Sequence, residues 1–237
     1  IAGCGTGQDS IGTATRFKSS KVLAIDLSLS SLAYAKRKTE ELAINNIDYM
    51  QADILDLGKL NKQFDIIESA GVLHHMDNPM EGWKVLTGCL KAGGLMRIGL
   101  YSELARQHIV KIRNEISQLD NGSSDAEMRS FRETIKRSDK VHHKQVLNFP
   151  DFYCLSELRD LLFHVKEYRF TIPLIKDHLN KLGLKFCGFE SSKIVPHFKI
   201  TNKNKEDPYD LDKWQVYEEA NPKAFAGMYQ FWCQKDN

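Results

Sequence analysis

Three glycines stand at alternate positions near the start of the sequence, in Gly3-Cys4-Gly5-Thr6-Gly7, and Gln8 follows them. Glycine has no Cβ, so a loop of this kind can turn sharply and lets a ligand approach the backbone closely. A stretch compatible with a helix follows from Asp9, and the free N–H groups at a helix start suit an anionic or carboxylate-bearing group. The segment therefore predicts a ligand-binding loop, but its spacing alone does not identify the ligand.

Two acidic residues stand directly after segments that predict buried strands. Asp26 follows the apolar run 21–25, and Asp53 ends the strand-like segment 47–52. A carboxylate can accept hydrogen bonds from both hydroxyls of a ribose, so Asp26 suits a nucleoside ligand. Asp53 can accept a hydrogen bond from an adenine amino group, with Ile54 against the face of the ring. The two acids together indicate a cofactor that contains adenosine.

The glycine spacing bears on which adenosine-containing cofactor this is. The dinucleotide fingerprint G-x-G-x-x-G places its third glycine where this chain has Gln8, whereas the third glycine here is Gly7. Gln8 and the second acid, Asp53, therefore favour a methyl-donor fold over a nicotinamide-dinucleotide oxidoreductase. The oxidoreductase stays open as an alternative, as does a non-catalytic module that keeps the same fold.

The elements around these residues alternate between strands and helices. Apolar strands, each followed by a helical pattern, are typical of a parallel, doubly wound α/β sheet. The predicted helices cover Asp9–Phe17 with Asp9 or Ser10 as cap, a stretch capped by Ser28 or Ser30, and a stretch from Asn78-Pro79 to Gly93-Gly94. The predicted strands cover 21–25, 47–52, 64–69 and 95–101. Most of the strand expected before the glycine loop is missing, so we expect an N-terminally truncated fragment.

The alternation of strands and helices ends at Ser102, where a helical stretch begins. Apolar residues at helical spacing, from Ile109 to Leu119 and from Met128 to Ile135, predict a helical insertion, with a loop at 121–125 between them. The elements predicted beyond it are a helix from Thr171 to Gly183, a strand at 184–190, a polar loop at 202–212 and a last strand at 228–234. We therefore expect three regions. Residues 1–101 bind the cofactor, residues 102–168 form an insertion that serves as a lid or binds the acceptor, and residues 169–237 complete the same sheet.

Six segments occur in an order that one family shares. They are Ala-Gly-Cys-Gly-Thr-Gly at 2–7, Ala-Ile-Asp at 24–26, Gln-Ala-Asp-Ile at 51–54, Phe-Asp-Ile-Ile at 64–67, Gly-Val-Leu-His-His-Met at 71–76 and Leu-Lys-Ala-Gly-Gly at 90–94. On these segments the sequence resembles the class I S-adenosylmethionine-dependent methyltransferases. That resemblance implies a mostly parallel, Rossmann-like sheet with an antiparallel last strand. The C-terminal half more loosely resembles methyltransferases found beside tetratricopeptide repeats, or the protein-lysine methyltransferases of some intracellular bacteria.

The resemblance also implies S-adenosylmethionine as the cofactor and assigns roles to residues. Asp26 would hold the ribose with Leu27 beside the adenine, and Asp53 with Ile54 would bind the adenine. The backbone around Glu68 and Ser69 would face the methionine amino group. The loop expected around the methionine part consists of Gly3, Cys4, Gly5, Thr6, Gly7 and Gln8.

The chemistry implied is transfer of a methyl group from a sulfonium to a nucleophile by in-line displacement. Because the donor is already activated, positioning and desolvation do most of the work, and a general base matters only for an acceptor that arrives protonated. His74 and Tyr101 end the fourth and fifth expected strands of the sheet and are the candidate catalytic residues, with packing as the alternative role for both. The acceptor, a small molecule or a protein side chain, is left open.

Composition restricts the class of protein and the partners that we expect. The chain has 237 residues, of which 42% are hydrophobic and 27% charged, as in soluble globular proteins. A net charge of +2 gives no reason to expect nucleic acid or a membrane as partner. The five cysteines form no C-x-x-C pair, and His142-His143 has no ligand-like neighbour in sequence, so no metal site is expected. We expect a cytoplasmic protein, fused to or paired with another domain on its N-terminal side.

Overall fold

The computed structural model describes residues 1–118, 124–163 and 166–237. The strands are β1 (Val22–Asp26), β2 (Ile47–Gln51), β3 (Phe64–Ala70), β4 (Leu90–Leu100), β5 (Leu184–Phe189) and β6 (Tyr229–Lys235). The α-helices are α1 (Gln8–Arg16), α2 (Leu29–Glu41), α3 (Pro79–Gly88), α4 (Gln107–Gln118), α5 (Asp125–Arg137), α6 (Val141–Val146), α7 (Leu155–Leu158), α8 (Ile172–Leu182), α9 (Ile194–Thr201) and α10 (Leu211–Ala220). Short 3₁₀ turns cover Ile54–Leu60, Leu73–His75, Pro150–Phe152 and Asp207–Tyr209.

The first residues of the chain join two groups of strands. β1 and β2 pair in parallel, and β3, β4, β6 and β5 pair in that order. The Ile25 N–H donates to the Ile1 carbonyl at 2.9 Å, and the Ala2 N–H donates to the Glu68 carbonyl at 2.8 Å. Residues 1–3 therefore lie between β1 and β3, which gives the order β2, β1, 1–3, β3, β4, β6, β5.

The last strand is antiparallel. β6 pairs antiparallel with both β4 and β5, whereas β3 and β4 are parallel. The prediction of a doubly wound, mostly parallel α/β sheet with an antiparallel last strand is thus confirmed. One face of β6 is buried: Tyr229, Phe231 and Cys233, which alternate along the strand, are fully buried.

Local helix signals were mostly correct. The side chains of Ser28, Asn78 and Thr171 each accept a hydrogen bond from a backbone N–H of the first helical turn, and Gly183 ends α8 in the left-handed conformation. These signals are local contacts between a side chain and its own helix, so they can be recognised without the fold.

The start of α1 differs from its prediction. The residue before the helix is Gly7, with φ 93°, and no side chain caps it, so the predicted caps Asp9 and Ser10 are wrong. Ser10 is buried, and its hydroxyl donates to the Gly7 carbonyl at 3.1 Å. The first N–H groups of α1 are therefore not covered by a capping side chain.

The end of α3 also differs. The predicted stop at Gly93-Gly94 is wrong, because α3 ends at Gly88 and β4 begins at Leu90. The pairing of β4 with β3 shifts register just after Phe64, and Gly93, with φ 69°, lies in that irregular stretch. A glycine pair therefore marks a bulge here and not a helix end.

The helical insertion (102–168) has a hydrophobic core of its own. It contains α4 to α7, and Leu119 and the predicted loop residues 121–123 lie outside the described residues. The buried members of this core are Ile109, Ile112, Ile116, Phe131, Ile135, Val146, Phe152, Leu158, Leu161 and Leu162. The helices of the insertion therefore pack on one another. None of the described helices is both long and apolar enough to cross a membrane.

Two helices near the C-terminus were not predicted. α9 and α10 flank the polar stretch 202–212, and the ring of Phe198 stacks on the ring of Trp214 at 3.7 Å. α9 has only eight residues and a weak apolar stripe, so its helical pattern is short. The contact between the two helices, which sequence periodicity does not reveal, buries both aromatic rings.

Candidate cofactor and acceptor site

The three loop glycines serve different purposes. Gly3, Gly5 and Gly7 all have positive φ, at 76°, 50° and 93°. A Cβ on Gly3 would lie 2.2 Å from a Val72 methyl group, and one on Gly7 would lie 2.7 Å from the Cβ of Ala35. A Cβ on Gly5 would meet nothing within 4 Å. Gly3 and Gly7 are thus required by packing, whereas a side chain on Gly5 would enter open space.

The other loop residues have unequal exposure. Cys4 is buried, and burial, together with the nearby Asp26 carboxylate, raises the pKa of its thiol to about 11. Thr6 and Gln8 are exposed. Cys4 therefore stays a neutral thiol that packs beneath the loop, whereas Thr6 and Gln8 face solvent and do not line the cavity described below.

Asp26 holds the glycine loop through its carboxylate. One oxygen accepts the Gly5 N–H at 2.7 Å, and the other accepts the Ser28 N–H at 2.9 Å. Each carboxylate oxygen has a second lone pair, so both can still accept a ribose hydroxyl. The same side chain thus fixes the loop and presents acceptors to a ligand.

Asp53 and its neighbours form the other side of this pocket. One oxygen of Asp53 accepts the Leu55 N–H at 2.9 Å, which begins a 3₁₀ turn. Its other oxygen accepts no hydrogen bond from the described residues. Ile54 is buried, whereas Leu27 is 66% exposed at the rim. An exposed leucine beside an acceptor oxygen suits an adenine ring, which has one polar edge and apolar faces.

We call the cavity between these residues the Asp26 pocket. It has a volume of about 170 Å³ and lies at the carboxyl ends of residues 1–3, β1, β2 and β3. Its lining includes Gly3, Asp26, Asp53, Ile54, Gly71 and His75. The chain reverses its strand order here, between 1–3 and β3, and open α/β sheets bind ligands at such a switch point.

Glu68 and Ser69 lie away from this pocket. The Glu68 carbonyl already accepts the Ala2 N–H, and its carboxylate accepts the Thr13 hydroxyl and pairs with Arg97 at 3.4 Å. Ser69 is fully buried. Neither residue lines the Asp26 pocket. Their side chains therefore do not contribute to the Asp26 pocket, and the expectation that the backbone around them faces the methionine amino group stays a prediction.

Four residues that line the pocket had no role in the sequence prediction. They are Gly71, Val72, His75 and Met76, just beyond the end of β3. The segment 71–76 carried the family resemblance, but nothing in it shows which side chains turn towards the cavity. A position just after a parallel strand at the switch point is the signal that could have found them.

His74 and Tyr101 contact each other. Their rings stack at 3.7 Å, and His74 is fully buried and does not line the Asp26 pocket. The guanidinium of Arg106 lies 3.6 Å from the ring centroid of Tyr101. Burial raises the pKa of the Tyr101 hydroxyl, with Arg106 opposing. Tyr101 is therefore a neutral phenol held in place by its neighbours.

Arg106 is fixed by a buried carboxylate. Two nitrogens of Arg106 donate to the two oxygens of Glu167 at 3.2 and 2.9 Å, and the side chains are 2% and 1% exposed. Arg113 and Arg169 also approach Glu167, at 3.0 and 3.7 Å. This bidentate pair sets the guanidinium plane against the Tyr101 ring.

A second cavity, which we call the Tyr101 pocket, adjoins the first. It has a volume of about 340 Å³ and is lined by residues that include Tyr101, Arg106, Phe149, Asp151, Phe225 and Met228. The methyl carbon of Met228 lies 3.9 Å from the position of a Cβ on Gly71, a residue of the Asp26 pocket. The His75 ring, also of that pocket, lies 5.8 Å from the Tyr101 ring. The two pockets are therefore neighbours, with these side chains between them.

Comparisons with known proteins fit this geometry. Residues 2–94 match a family model described as a methyltransferase domain. An uncharacterised protein of a Synechococcus strain is 26% identical over 231 residues, which make up 91% of this chain and 54% of the relative.

Solved structures show the same fold. PKMT2 from Rickettsia typhi, in complex with AdoHcy, has a TM-score of 0.70 and 17% identity over 100% of this chain and 48% of that one. The [4+2]-cyclase SpnF has a TM-score of 0.53 and 14% identity over 99% of this chain and 74% of its own. The chain spans about half the length of the Synechococcus and Rickettsia proteins. The matched domain, the ordered motifs and the sheet together support a class I, Rossmann-like methyltransferase that uses S-adenosylmethionine, with residues 2–94 carrying the family match.

Proposed function

We propose that the protein transfers the methyl group of S-adenosylmethionine to an amine held in the Tyr101 pocket. The observation that carries this proposal is that the two pockets are neighbours, since Gly71 of the Asp26 pocket lies beside Met228 of the Tyr101 pocket. When bound, the cofactor supplies an activated methyl group that a nucleophile takes by in-line displacement. A donor in one pocket and an acceptor in the next meet the positional demand of that reaction.

The residues of the Asp26 pocket, together with the neighbouring glycine loop, fit the cofactor. The open space over Gly5 leaves room for the methionine part, and Gln8 begins α1 beside it. Asp26 presents acceptor oxygens for the ribose hydroxyls, and the unused oxygen of Asp53 can accept from the adenine amino group. Leu27 would be covered by the ring.

The charges around the Tyr101 pocket favour an amine. The guanidinium of Arg106 is paired with Glu167, and Glu190 is paired with Arg97. Asp151 is exposed, and its carboxylate has no hydrogen-bond or ion-pair partner among the described residues. Phe149 and Phe225 add aromatic surface. A carboxylate with aromatic neighbours suits a cationic amine, and the loose resemblance to protein-lysine methyltransferases agrees with this choice.

The chain's part in the reaction is mainly positioning. Asp151 orients the ammonium group, and the open pocket lets its proton leave to water before the nitrogen attacks. The Tyr101 hydroxyl, a neutral phenol, can hydrogen-bond the attacking nitrogen, and buried His74 fixes the ring from behind. All five cysteines are free thiols, which fits the reducing cytoplasm as the site of the activity.

A transfer assay with tritiated-methyl S-adenosylmethionine tests the proposal on the full-length protein. Fractionated cell lysate and free amines serve as acceptors, and labelled proteins are hydrolysed to identify the methylated residue. Label on amine nitrogen, and on lysine in proteins, is the expected result. Label on oxygen or carbon acceptors would overturn the amine assignment and leave methyl transfer standing.

Calorimetry and thermal shift separate the other functions. S-adenosylhomocysteine should bind and raise the melting temperature, whereas NAD should not. Stabilisation by NAD alone would favour the oxidoreductase. Cofactor binding without label on any acceptor would favour the non-catalytic module.

A further inference from the structure

Three side chains converge in the helical insertion, away from both pockets. The Nε2 atoms of His142 and His143 lie 2.7 and 2.8 Å from the two carboxylate oxygens of Glu115. Glu115 belongs to α4, whereas the histidines open α6. Glu115 and His142 are partly exposed, and His143 is 3% exposed. Among the described residues, these three form the one group of histidine, cysteine and acidic side chains close enough to share an ion.

We propose that Glu115, His142 and His143 bind a divalent transition-metal ion of the zinc type, which ties α6 to α4. Two imidazoles and a carboxylate are a ligand set that such ions accept, with water in the remaining position. Sequence alone gave no sign of the site, because Glu115 stands 27 residues before His142. The contact between the two helices brings the ligand atoms together.

The geometry is near what an ion needs. The potential ligand atoms lie within 4.8 Å of one another. Bonds of about 2.0–2.1 Å in a tetrahedral site put ligand atoms roughly 3.3 Å apart. The two N–O separations must therefore widen by about half an ångström, a change that side-chain rotation can supply. His142, 20% exposed, provides the entry path from solvent.

Lys140 is the present counter-charge of this cluster. Its ammonium lies 3.0 Å from a Glu115 oxygen, and its side chain is 56% exposed. A divalent ion would displace it, and a lysine with this exposure can turn into water at little cost. Removal of Lys140 should therefore leave the affinity for the ion unchanged or raise it. In a cluster held only by hydrogen bonds and ion pairs, the same removal would take away a stabilising contact.

The environment of His143 limits the affinity. To ligate through Nε2 it must carry its proton on Nδ1, and that buried atom has no hydrogen-bond partner among the described residues. Metal-bound histidines usually donate their second N–H, and loss of such support weakens binding by about ten- to a hundred-fold. The expected site is therefore of moderate affinity, suited to an ion that is exchanged.

The position of the site connects it to the Tyr101 pocket. α6 ends at Val146, and Phe149 and Asp151, which line that pocket, follow directly. An ion that fixes α6 on α4 would also limit the movement of this segment. The site does not depend on the proposed amine chemistry, so each can fail without the other.

Zinc and cobalt titrations of the full-length, chelator-treated protein test the proposal. We expect one bound ion per chain, visible d–d absorption from cobalt, and a rise in melting temperature. Glu115→Gln and His142→Asn should each weaken binding at least about ten-fold. Lys140→Ala should bind as well as the wild type or more tightly.

Three outcomes would overturn the assignment. They are no binding by the wild type, equal binding by Glu115→Gln and the wild type, or a sulfur-to-cobalt charge-transfer band, which would place the ion on cysteine. Circular dichroism of each variant shows whether the helices persist. If Glu115→Gln unfolds the insertion, the test rests on His142→Asn. His142 lies at the surface end of the cluster, so its replacement should disturb the packing less.

Discussion

The Asp26 carboxylate accepts the backbone N–H of Gly5 at 2.7 Å, so the residue expected to hold the ribose also holds the loop beneath the methionine part. Asp26→Ala should therefore weaken S-adenosylhomocysteine binding by more than ten-fold, because it removes charged hydrogen bonds to ligand and loop together. Isothermal calorimetry measures the change. Asp48→Ala, an exposed acid on β2, is the control, and an equal loss in both variants would contradict a specific role.

Gly5 should be needed for binding more than for folding. Its φ of 50° costs alanine about 1 kcal/mol, and the added Cβ enters the open space over the loop. Gly5→Ala should thus lose most cofactor affinity with a modest fall in the free energy of unfolding. Gly12→Ala, in an exposed turn of α1, should instead stabilise by about 0.5–1 kcal/mol. Urea unfolding and calorimetry together check both, and unchanged binding by Gly5→Ala would contradict the placement of the cofactor.

Asp151 and Tyr101 should affect different steps. Asp151→Asn removes the unpaired carboxylate of the Tyr101 pocket, so the KM for an amine acceptor should rise about ten-fold with cofactor affinity unchanged. Tyr101→Phe keeps the ring stack with His74 but loses the hydroxyl, so kcat should fall more than KM changes. Steady-state methyl transfer measures both. If Asp151→Asn leaves the acceptor KM untouched, the amine does not bind there.

Breaking the buried ion pair between Arg106 and Glu167 should lower the free energy of unfolding substantially. Arg106→Met leaves the Glu167 carboxylate, which is 1% exposed, without its bidentate partner. The free energy of unfolding should therefore fall by about 3–5 kcal/mol. Lys36→Met, which breaks an exposed pair with Glu40, should cost no more than about 0.5 kcal/mol. Urea denaturation compares the two. Similar small losses would show that Arg113 and Arg169 already satisfy Glu167.

His108 should make stability depend on pH. Burial, aided by the charge of Arg106, lowers the pKa of His108 from 6.5 to about 4. Between those values the unfolded chain binds more protons than the folded one, so the free energy of unfolding falls as the solution is acidified. His108→Asn should reduce the fall between about pH 7.5 and pH 5 by roughly 1 kcal/mol, allowing for partial exposure. Equal falls in the variant and the wild type would contradict this.

The sequence by itself determined the architecture of the sheet and the order of its cofactor motifs. Strands β1 to β3 and the caps Ser28, Asn78 and Thr171 were predicted because they depend on short-range pattern and on a side chain's reach to its own helix. The glycine loop, Asp26 and Asp53 stand at strand ends for the same reason. Parallel strands bring those ends together at one edge, so sequence order is enough to expect a site there.

Tertiary packing decided what each of those residues touches. The need for glycine at Gly3 comes from Val72, nearly seventy residues away, and not from a ligand. The side chains of Glu68 and Ser69 lie away from the Asp26 pocket because side chains alternate between sheet faces, and neighbouring strands decide which face is covered. Gly93 was misread because pairing with β3 turned a helix-end signal into a bulge.

The largest gap between sequence and structure lies in the helical insertion. Nothing in the spacing of His142-His143 pointed to Glu115, and nothing near Arg106 pointed to Glu167, since each pair is made by contact between distant helices and loops. Charge and hydrogen-bonding partners that lie far apart in sequence are brought together only when apolar faces pack. The chain's local patterns therefore determined where a cofactor can bind, and the packing of its helices decided what surrounds the acceptor.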